Sequence, residues 1–433
     1  MLATALLATE RHHATQRRAN RTAMIRSLCA RADVSAPELA IALALPMPVV
    51  APLLRQLMAE GLILESRARS TDNGRVLPRY RLDPAHLALL GADVGVDRVR
   101  VVASSLSGRV LASTTLAYGK ARSTMTCIDS LASASLRVCR SLGVEARHVV
   151  GMGIGLPSAQ DPPTGDSHAG SPLRTRDIPF GSLLARDLEG SPLEGLPLFP
   201  GTAADVAALG EFEFGPLVDG PASLLYLSLE EELHAGIVID GELVTGRQRC
   251  AGGVGHTILQ VDGPRCSCGR SGCAEALIGS RSLLGTADPD PVKALRRRLD
   301  AGSPDTLSAV ARAGEHLGTL LHNLAILYRP SRIVVGGSMI ALGDALLEPA
   351  RRALGAGGFA LHGRHAALSP SHFGADAIAV GAAALARHHL CGRLDGAMPC
   401  ALRRSEAIRR RTLFSKGDLA IYQVRGGAQA VGP

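Results

Sequence analysis

The feature that most constrains how this sequence can fold is a short run of metal-binding side chains. One histidine and three cysteines, His256, Cys266, Cys268 and Cys273, follow the pattern His-x9-Cys-x-Cys-x4-Cys within eighteen residues. One imidazole and three thiolates complete the tetrahedral set that a closed structural zinc site requires. We therefore predict a Zn²⁺ ion that organises the loop at 252–275 and catalyses nothing. The alternative is a group of ordinary cysteines, for example a redox pair.

The residues around this loop, 84–387, have the pattern of an α/β body. Apolar, strand-like runs alternate with helical segments twice over. These runs are residues 90–112, 148–154, 223–243 and 332–335. We read the first as two strands joined by a turn at Ser107-Gly108. The repetition predicts two similar lobes around a cleft.

Residues 20–83, which we call the N-terminal module, read as three helices and a hairpin. A capping box, Ser35-Ala-Pro-Glu38, opens the second helix, and the third runs from about Pro48 to Glu60 and stops at Gly61. Asn73-Gly74 then marks the turn of a two-stranded hairpin. This pattern predicts a winged helix-turn-helix, whose third helix enters the major groove of double-stranded DNA.

Six polar residues of the module are candidates for DNA contact. They are Arg55 and Gln56 on the third helix, and Arg67, Arg69, Arg75 and Arg79 on the hairpin. Hairpin arginines can neutralise phosphates. The start of the third helix, Pro46-Met-Pro-Val-Val-Ala-Pro52, offers no side chain that could hydrogen-bond a base. Recognition of the DNA sequence should therefore be weak or unusual. The alternative is a winged helix that is used for protein contacts.

The net charge of +8 is divided unevenly along the chain. Residues 1–83 hold 12 Arg against 7 acidic residues, 84–387 hold 27 basic against 29 acidic, and 388–433 hold 8 basic against 3 acidic. Basic ends on a neutral body suggest a polyanion-binding module joined to a domain with a different function. The alternative is coding bias, because Arg outnumbers Lys 44 to 3.

No segment has the pattern of a membrane span or an export signal. The most apolar window, 36–54, contains Glu38 and four prolines, which a spanning helix tolerates poorly. Residues 1–19 form an N-terminal extension without a typical cleavage site. We expect a cytoplasmic protein with no membrane partner.

Two motifs resemble the ROK family of repressors, open reading frames and sugar kinases. One runs from Gly252-Gly253-Val254-Gly255-His256 through the cysteines to Glu275, and the other is Gly153-Ile-Gly-Leu-Pro157. The chain is similar, over about 20–388, to the regulator form with an N-terminal winged helix. The resemblance implies an actin-like, ribonuclease-H-like body in two lobes. It also implies a transcriptional regulator, here a repressor, that binds DNA as a homodimer or homotetramer and responds to a sugar.

Both phosphate loops depart from the kinases of that family. The first kinase loop resembles Asp-x-Gly-Gly-Thr, and here it reads Asp93-Val-Gly-Val-Asp97. The second, Gly-Thr-Gly-x-Gly, aligns with Glu230-Glu-Glu-Leu-His234. Glycines let backbone N–H groups close on an anion, whereas three carboxylates repel a triphosphate.

The catalytic base of the kinases also has no counterpart. Alignment puts Ala203 at that position, and a methyl group cannot accept the proton of a sugar hydroxyl. Asp205 lies two positions further on, where the family has a sugar-contacting Asn, and could substitute only if the backbone shifted. We expect no enzyme. The alternatives are a sugar kinase with an appended DNA-binding module and a protein-interaction scaffold with a degenerate helix-turn-helix.

The sugar-binding set is incomplete as well. In the family a Glu hydrogen-bonds sugar hydroxyls, and this position is Gly253 here. Only His256 and Glu275 match positions that contact sugar in the family. With Asp205 these form the candidate effector site, for a sugar or another small molecule, or for no ligand at all. The basic tail, 388–433, has no counterpart in the family; it is a DNA-binding arm or disordered, and we favour disorder.

Overall fold

The structure of the protein is a computed structural model. It describes residues 20–21, 23–25, 27–28, 33–69, 76–83, 87–95, 97–118, 123–142, 148–157, 180–216, 223–230, 232–246, 252–285, 288, 290–356 and 367–391. The predicted extension at 1–19 and the tail beyond residue 391 lie outside these residues. The last described helix ends at Cys391, four residues beyond the body boundary that the sequence suggested.

The N-terminal module contains three helices and a small sheet. Its elements are α1 (the helical residues 20–21, 23–25 and 27–28), β1 (Val34–Ser35), α2 (Ala36–Leu43), α3 (Met47–Ala59), β2 (Ile63–Arg69) and β3 (Val76–Leu82). The strands pair antiparallel in the order β1-β3-β2. The predicted capping box forms at the start of α2, where the Ser35 N–H donates to the Glu38 carboxylate at 2.8 Å. After α3 the chain turns at Gly61, whose φ of 71° favours glycine.

Helix α3 continues through Pro52, which lies beyond its first turn. A proline there removes one intrahelical N–H and crowds the preceding turn. Pro52 faces solvent, so the ring displaces no core side chain. The opposite face carries the packing: Val50, Leu53, Leu54 and Leu57 are all buried in the module. Tertiary burial of this face therefore outweighs the local penalty.

The body consists of two lobes, each built on a five-stranded sheet. The first lobe contains β4 (Ala88–Val94), β5 (Arg98–Ser105), β6 (Val110–Ala117), α4 (Thr124–Leu142), β7 (Val149–Leu156), α5 (Phe180–Asp187), β8 (Leu198–Thr202) and α6 (Ala203–Glu213). The second contains β9 (Leu224–Leu229), β10 (Leu233–Ile239), β11 (Glu242–Leu243), α7 (Ala274–Ile278), α8 (Ser280–Leu284), α9 (Pro291–Asp300), α10 (Pro304–Tyr328), β12 (Arg332–Gly336), α11 (Asp344–Ala356), β13 (Ala367–Pro370) and α12 (Ala377–Cys391).

The two sheets share one topology. Their strand orders are β6-β5-β4-β7-β8 and β11-β10-β9-β12-β13. In each, the first three strands pair antiparallel and the last two join parallel. The predicted repetition is therefore present. The run 90–112 holds parts of three strands rather than two, because the chain also turns at Gly95, whose N–H donates to the Arg98 carbonyl.

Helices α6 and α12 form the layer between the two sheets. Helix α12 contacts β4, β5, β7 and β8 of the first sheet, and α6 contacts β9 and β10 of the second. The approach is close: a Cβ at Gly153 on β7 would lie 1.7 Å from the Ala382 carbonyl oxygen of α12. Small residues along α12 permit this contact, which holds the lobes together.

The module is joined to the body by a continuous apolar cluster. On the module side it includes Leu57 of α3 and Leu82 of β3, and on the body side Leu89 of β4, Ala386 and Leu390 of α12. All are nearly or completely buried. The end of α12 is thus part of the core of the N-terminal module.

Among the described residues no single helix is both long and apolar enough to cross a membrane. The pair α2 and α3 meets those criteria only when the two helices are counted together across a bend of 118°.

Candidate functional site

The four predicted metal ligands come together in the second lobe. His256 ends a short 3-10 turn, and the three cysteines lie in the loop that leads into α7. Backbone bonds fold this loop back on itself: the Cys266 N–H donates to the Arg270 carbonyl at 2.8 Å, and the Gly269 N–H donates to the Cys266 carbonyl at 3.0 Å.

One glycine of this loop is required by close packing. Gly272 has a φ of 72°, and a Cβ there would lie 1.5 Å from the Gln260 carbonyl oxygen. Any other residue would push the two segments of the loop apart.

The four ligand atoms lie close to one another. His256 Nδ1 lies 3.6 Å from Cys266 Sγ, and Cys268 Sγ lies 3.6 Å from Cys273 Sγ. All four ligand atoms lie within 4.8 Å of one another. Zinc–ligand bonds of about 2.0–2.3 Å at tetrahedral angles put neighbouring ligands about 3.5–3.8 Å apart. The group could therefore hold one metal ion.

The cysteines of this group differ in their acidity. Burial, together with the neighbouring thiols, raises the pKa of Cys273 to about 12. Cys268 is exposed, and a hydrogen bond from the Arg270 backbone lowers the pKa of its thiol. A bound cation would stabilise all three thiolates at once, because a metal ligand is deprotonated on binding.

Of the three candidate effector residues, two lie at the metal cluster. The Glu275 carboxylate on α7 accepts a bond from the Ser267 hydroxyl at 3.1 Å and lies 3.9 Å from Cys266 Sγ. His256 is itself one of the four clustered residues. Asp205 lies in the first turn of α6, and its side chain is buried.

Ala203 is the first residue of α6, directly after the Thr202 cap. The Thr202 hydroxyl accepts a bond from the Asp205 N–H at 3.2 Å, which fixes the start of the helix. The nearest carboxylate in sequence, Asp205, therefore sits inside the helix with its backbone held by the cap. At the first position of α6, the side chain of Ala203 is a methyl group, which cannot accept a proton.

The acidic segment after β9 contacts the loop after β12. The Glu230 carboxylate accepts a bond from the Ser338 N–H at 3.0 Å and another from the Ser338 hydroxyl at 2.6 Å. Ser338 opens a 3-10 turn after Gly336-Gly337. Two donors that could bind an anion are therefore engaged by a carboxylate of the chain itself.

Asp93 lies at the end of β4, close to this contact. Burial is the main cause that raises the pKa of its carboxyl to about 7; Arg98 and Arg100 oppose the shift, and the charge of Glu230 adds to it. Arg100 is paired with Asp376, which precedes α12. A carboxyl with this pKa is partly protonated at neutral pH, which weakens it as a metal ligand.

The outward face of α3 carries two of the predicted DNA-contacting residues. Arg55 and Gln56 are both exposed. Arg55 Nε lies 3.5 Å from the Ala51 carbonyl oxygen, and the Gln56 amide donates to Glu60 at 2.9 Å. Both side chains remain within the module and reach solvent.

The hairpin arginines fall into two groups. Arg79 is used within the module, where its guanidinium donates to the Asp33 carboxylate at 3.2 Å and lies 3.4 Å from Glu38. Arg67 and Arg69 lie on β2, and the structure describes only the backbone of these two residues; Arg75 lies outside the described residues.

One buried charged group was missed by the sequence reading. The Arg387 guanidinium of α12 donates to the Glu213 carboxylate at the end of α6 and to the Leu106 carbonyl at 2.9 Å, and His388 Nδ1 lies 3.1 Å from Glu213. Glu213 and Arg387 are 174 positions apart, so no local pattern could pair them.

Comparison with known proteins gives one family. The ROK family profile matches residues 89–389, which is most of the chain. A xylose repressor of Caldicellulosiruptor bescii is 24% identical over 366 residues, covering 79% of this chain and 89% of that protein.

Two solved structures share the fold. The ROK hexokinase of Thermus thermophilus has a TM-score of 0.58 and 28% identity, over 70% of this chain and 99% of the hexokinase. A ROK family transcriptional regulator, a homologue of the E. coli MLC protein, has a TM-score of 0.63 and 20% identity, over 90% of this chain and 100% of the regulator. The body therefore has the mixed α/β, sugar-kinase-like fold, and the chain is a member of the ROK family, with relatives among both its repressors and its kinases.

Proposed function

We propose that this protein is a transcriptional regulator of the ROK family, a repressor, whose residues 20–83 form a winged helix-turn-helix. The turn at 44–46 joins α2 and α3 at 118°, within the range of helix-turn-helix units, and a hairpin follows. The regulator structure covers 90% of the chain, whereas the hexokinase covers 70%, which supports a regulatory role for the additional N-terminal part.

The observation that carries this proposal is the arrangement of α3. One face of the helix is packed into the module, and the other, with Arg55 and Gln56, faces solvent. A helix held in this way can lie in the major groove while hairpin cations contact phosphates. Arg67, Arg69 and Arg75 would supply those contacts, and Arg79 would position the hairpin.

The body is proposed to be non-catalytic. Phosphoryl transfer to a sugar requires a base at the hydroxyl and donors for the phosphates. Ala203 supplies no base, and the Ser338 donors are engaged by Glu230. The body then serves as an effector domain of degenerate kinase type. Its ligand would be a sugar or another small molecule near His256, Glu275 and Asp205.

The metal held by His256, Cys266, Cys268 and Cys273 is proposed to be a structural Zn²⁺. The donor set is soft and complete, and its two spacings of 3.6 Å match those between neighbouring ligands of a tetrahedral site. The zinc ion would supply no chemistry beyond fixing the loop. Its ligands would hold Glu275, which follows the last cysteine, in position.

The proposed partners are double-stranded DNA and a second copy of the chain. Operators with two half-sites match a two-fold symmetric dimer or a tetramer built from dimers. A regulator of this kind works in the cytoplasm, where bacterial DNA is found.

A gel-shift assay with the promoter region of the protein's own gene tests the proposal. At low salt, where phosphate contacts are strongest, we expect a retarded complex that weakens as salt rises. Replacing Arg55, Arg67 and Arg75 together by Ala should abolish the complex. Arg297→Ala, an exposed arginine on α9, is the matched control and should leave it intact. Absence of binding at low salt would contradict DNA recognition and favour a scaffold.

The kinase alternative has one specific support, the 28% identity to a hexokinase. It predicts ATP-dependent phosphorylation of a hexose or amino sugar by the purified chain. We expect none. Restoring the base by Ala203→Asp is the informative comparison, because activity in that variant alone would attribute the loss to this position.

A further inference from the structure

The exposed face of α3 has an apolar first half. Met47, Pro48 and Pro52 are exposed, and Ala51 between them is half-buried. The core packing of the helix uses the other face, so these residues are not needed to hold the module together. Met47 alone keeps 42% of its surface accessible.

Hydrogen-bond donors are scarce on this half of the helix. No side chain between Met47 and Leu54 carries a polar group. Pro46 and Pro48 also lack backbone N–H groups, so the first turn offers fewer donors to a phosphate or a base. The polar residues begin only at Arg55, one turn further on.

The major groove displays one apolar group, the C5-methyl of thymine. An apolar helix face in that groove cannot hydrogen-bond the donors and acceptors of the bases. The thymine methyl is then the group that it can recognise. The surrounding charge favours DNA as the occupant over an apolar protein surface. Residues 1–83 hold 12 Arg against 7 acidic residues, and exposed Arg55 directly borders the apolar face.

Resting on the function proposed above, we infer that Met47, Pro48, Ala51 and Pro52 determine sequence specificity by packing against thymine methyl groups. From Met47 to Pro52 the helix rises about 7.5 Å, which is two base-pair steps of about 3.4 Å. The contacted methyls therefore lie within about three consecutive base pairs. A 5-methylcytosine presents the same methyl group and is accepted at the same place.

The experiment begins with the full chain selecting its preferred sites from a random duplex library. In the selected duplex each thymine is then replaced singly by uracil, which removes the methyl and keeps every hydrogen-bonding group. At two or three adjacent positions we expect the dissociation constant to rise about fourfold per methyl, or ~0.8 kcal/mol. A cytosine placed at such a position should gain affinity when it is converted to 5-methylcytosine.

A protein variant assigns the contact to the helix. In Met47→Ala, replacing the thymine that Met47 contacts by uracil should no longer change affinity, because the partner of the methyl has been removed. Leu64→Ala is the matched control: Leu64 is 40% exposed on β2, and its loss should leave every thymine-to-uracil ratio unchanged. Unfolding temperatures of both variants show whether the module remains folded.

If replacing thymine by uracil changes the affinity at no position of a selected site, this inference is overturned. The proposed DNA binding would then still stand. Failure to bind any duplex at low salt would overturn the proposed function and this inference with it. Equal loss of the uracil effect in Met47→Ala and Leu64→Ala would also contradict the assignment to α3.

Discussion

The N-terminal module and the loop at 252–275, which we call the metal loop, differ in how much apolar surface they bury. The module buries a large apolar cluster that includes Leu57 and continues into the body through Leu390 of α12. In the metal loop, Cys266 and Cys273 form a small cluster with Ala276 of α7, while Val254 and Ala274 at its two ends pack into the core of the second lobe. Val261 in the same loop is 82% exposed.

The two regions therefore differ in the interactions that keep them ordered. The module obtains its stability from apolar area removed from water, which accumulates over many side chains. The part of the metal loop that carries the ligands buries few apolar side chains, so in the proposed zinc site its order would come from a few strong bonds to one ion. Removal of the ion should therefore affect one region, and a cavity in the core should affect the other.

The largest effect is expected from Cys268→Ser. Loss of one thiolate should release the metal and leave residues 252–273 unprotected against hydrogen exchange, while α3 amides keep their protection. Metal analysis should find about one zinc per wild-type chain and far less in the variant. Cys139→Ser, a buried cysteine outside the cluster, is the control and should retain the metal. Equal loss of protection in α3 would show that the two regions are not independent.

Arg387→Met tests the charged group where α12 meets α6. Glu213 would be left buried with His388 as its remaining partner, and loss of the arginine should cost about 3–5 kcal/mol of unfolding free energy. Urea denaturation measures this change. The double variant Glu213→Gln with Arg387→Met should recover part of the loss. A cost below about 1 kcal/mol would mean that the pair behaves like a surface ion pair.

Leu57→Ala should cost about 3 kcal/mol, because it opens a cavity in the module. Since the apolar cluster is shared with β4 and α12, module and first lobe should still unfold in one transition. Ile41→Ala, at a position 83% exposed, should change the stability very little. A separate early transition of the module, seen by calorimetry, would contradict the shared core.

The smallest effect is expected from pH. The bond to Glu213 raises the pKa of His388 above 6.5, with Glu242 adding to the shift and Arg387 opposing it. A raised folded pKa means that the bond stabilises the protein fully below the unfolded pKa and that this gain is lost as pH rises through the folded value. In the wild type, the free energy of unfolding should therefore fall as pH rises above 6.5. In His388→Gln this fall should be smaller, because the titrating imidazole is absent. An unchanged pH profile in that variant would exclude His388 as the source.

The clustering of His256 with the three cysteines could be predicted because these residues are local in the sequence. The four ligands fall within eighteen residues, so spacing and chemistry are readable together. The capping box of α2 is equally local, since Ser35 and Glu38 are one turn apart. The turn at Gly95 was missed because it lies within an apolar run, and a long run alone does not reveal how many strands it contains.

Contacts across the fold could not be predicted in this way. Glu230 and Ser338 are 108 positions apart, and the sequence indicated only that an acidic segment stood where a phosphate loop would be. The exposure of Met47 and Pro48 was likewise undecided until the inner face of α3 was seen to be fully used by Leu53 and Leu57.

The sequence by itself determined the grouping of His256 with the three cysteines, the start of α2 and the repeated α/β pattern. Each depends on residue chemistry or on spacing within a few turns of chain. Only the tertiary structure decided that α12 joins both lobes to the N-terminal module, that Glu230 engages Ser338, and which face of α3 remains free. These depend on distant segments meeting, and an apolar pattern specifies that a face is buried without specifying its partner.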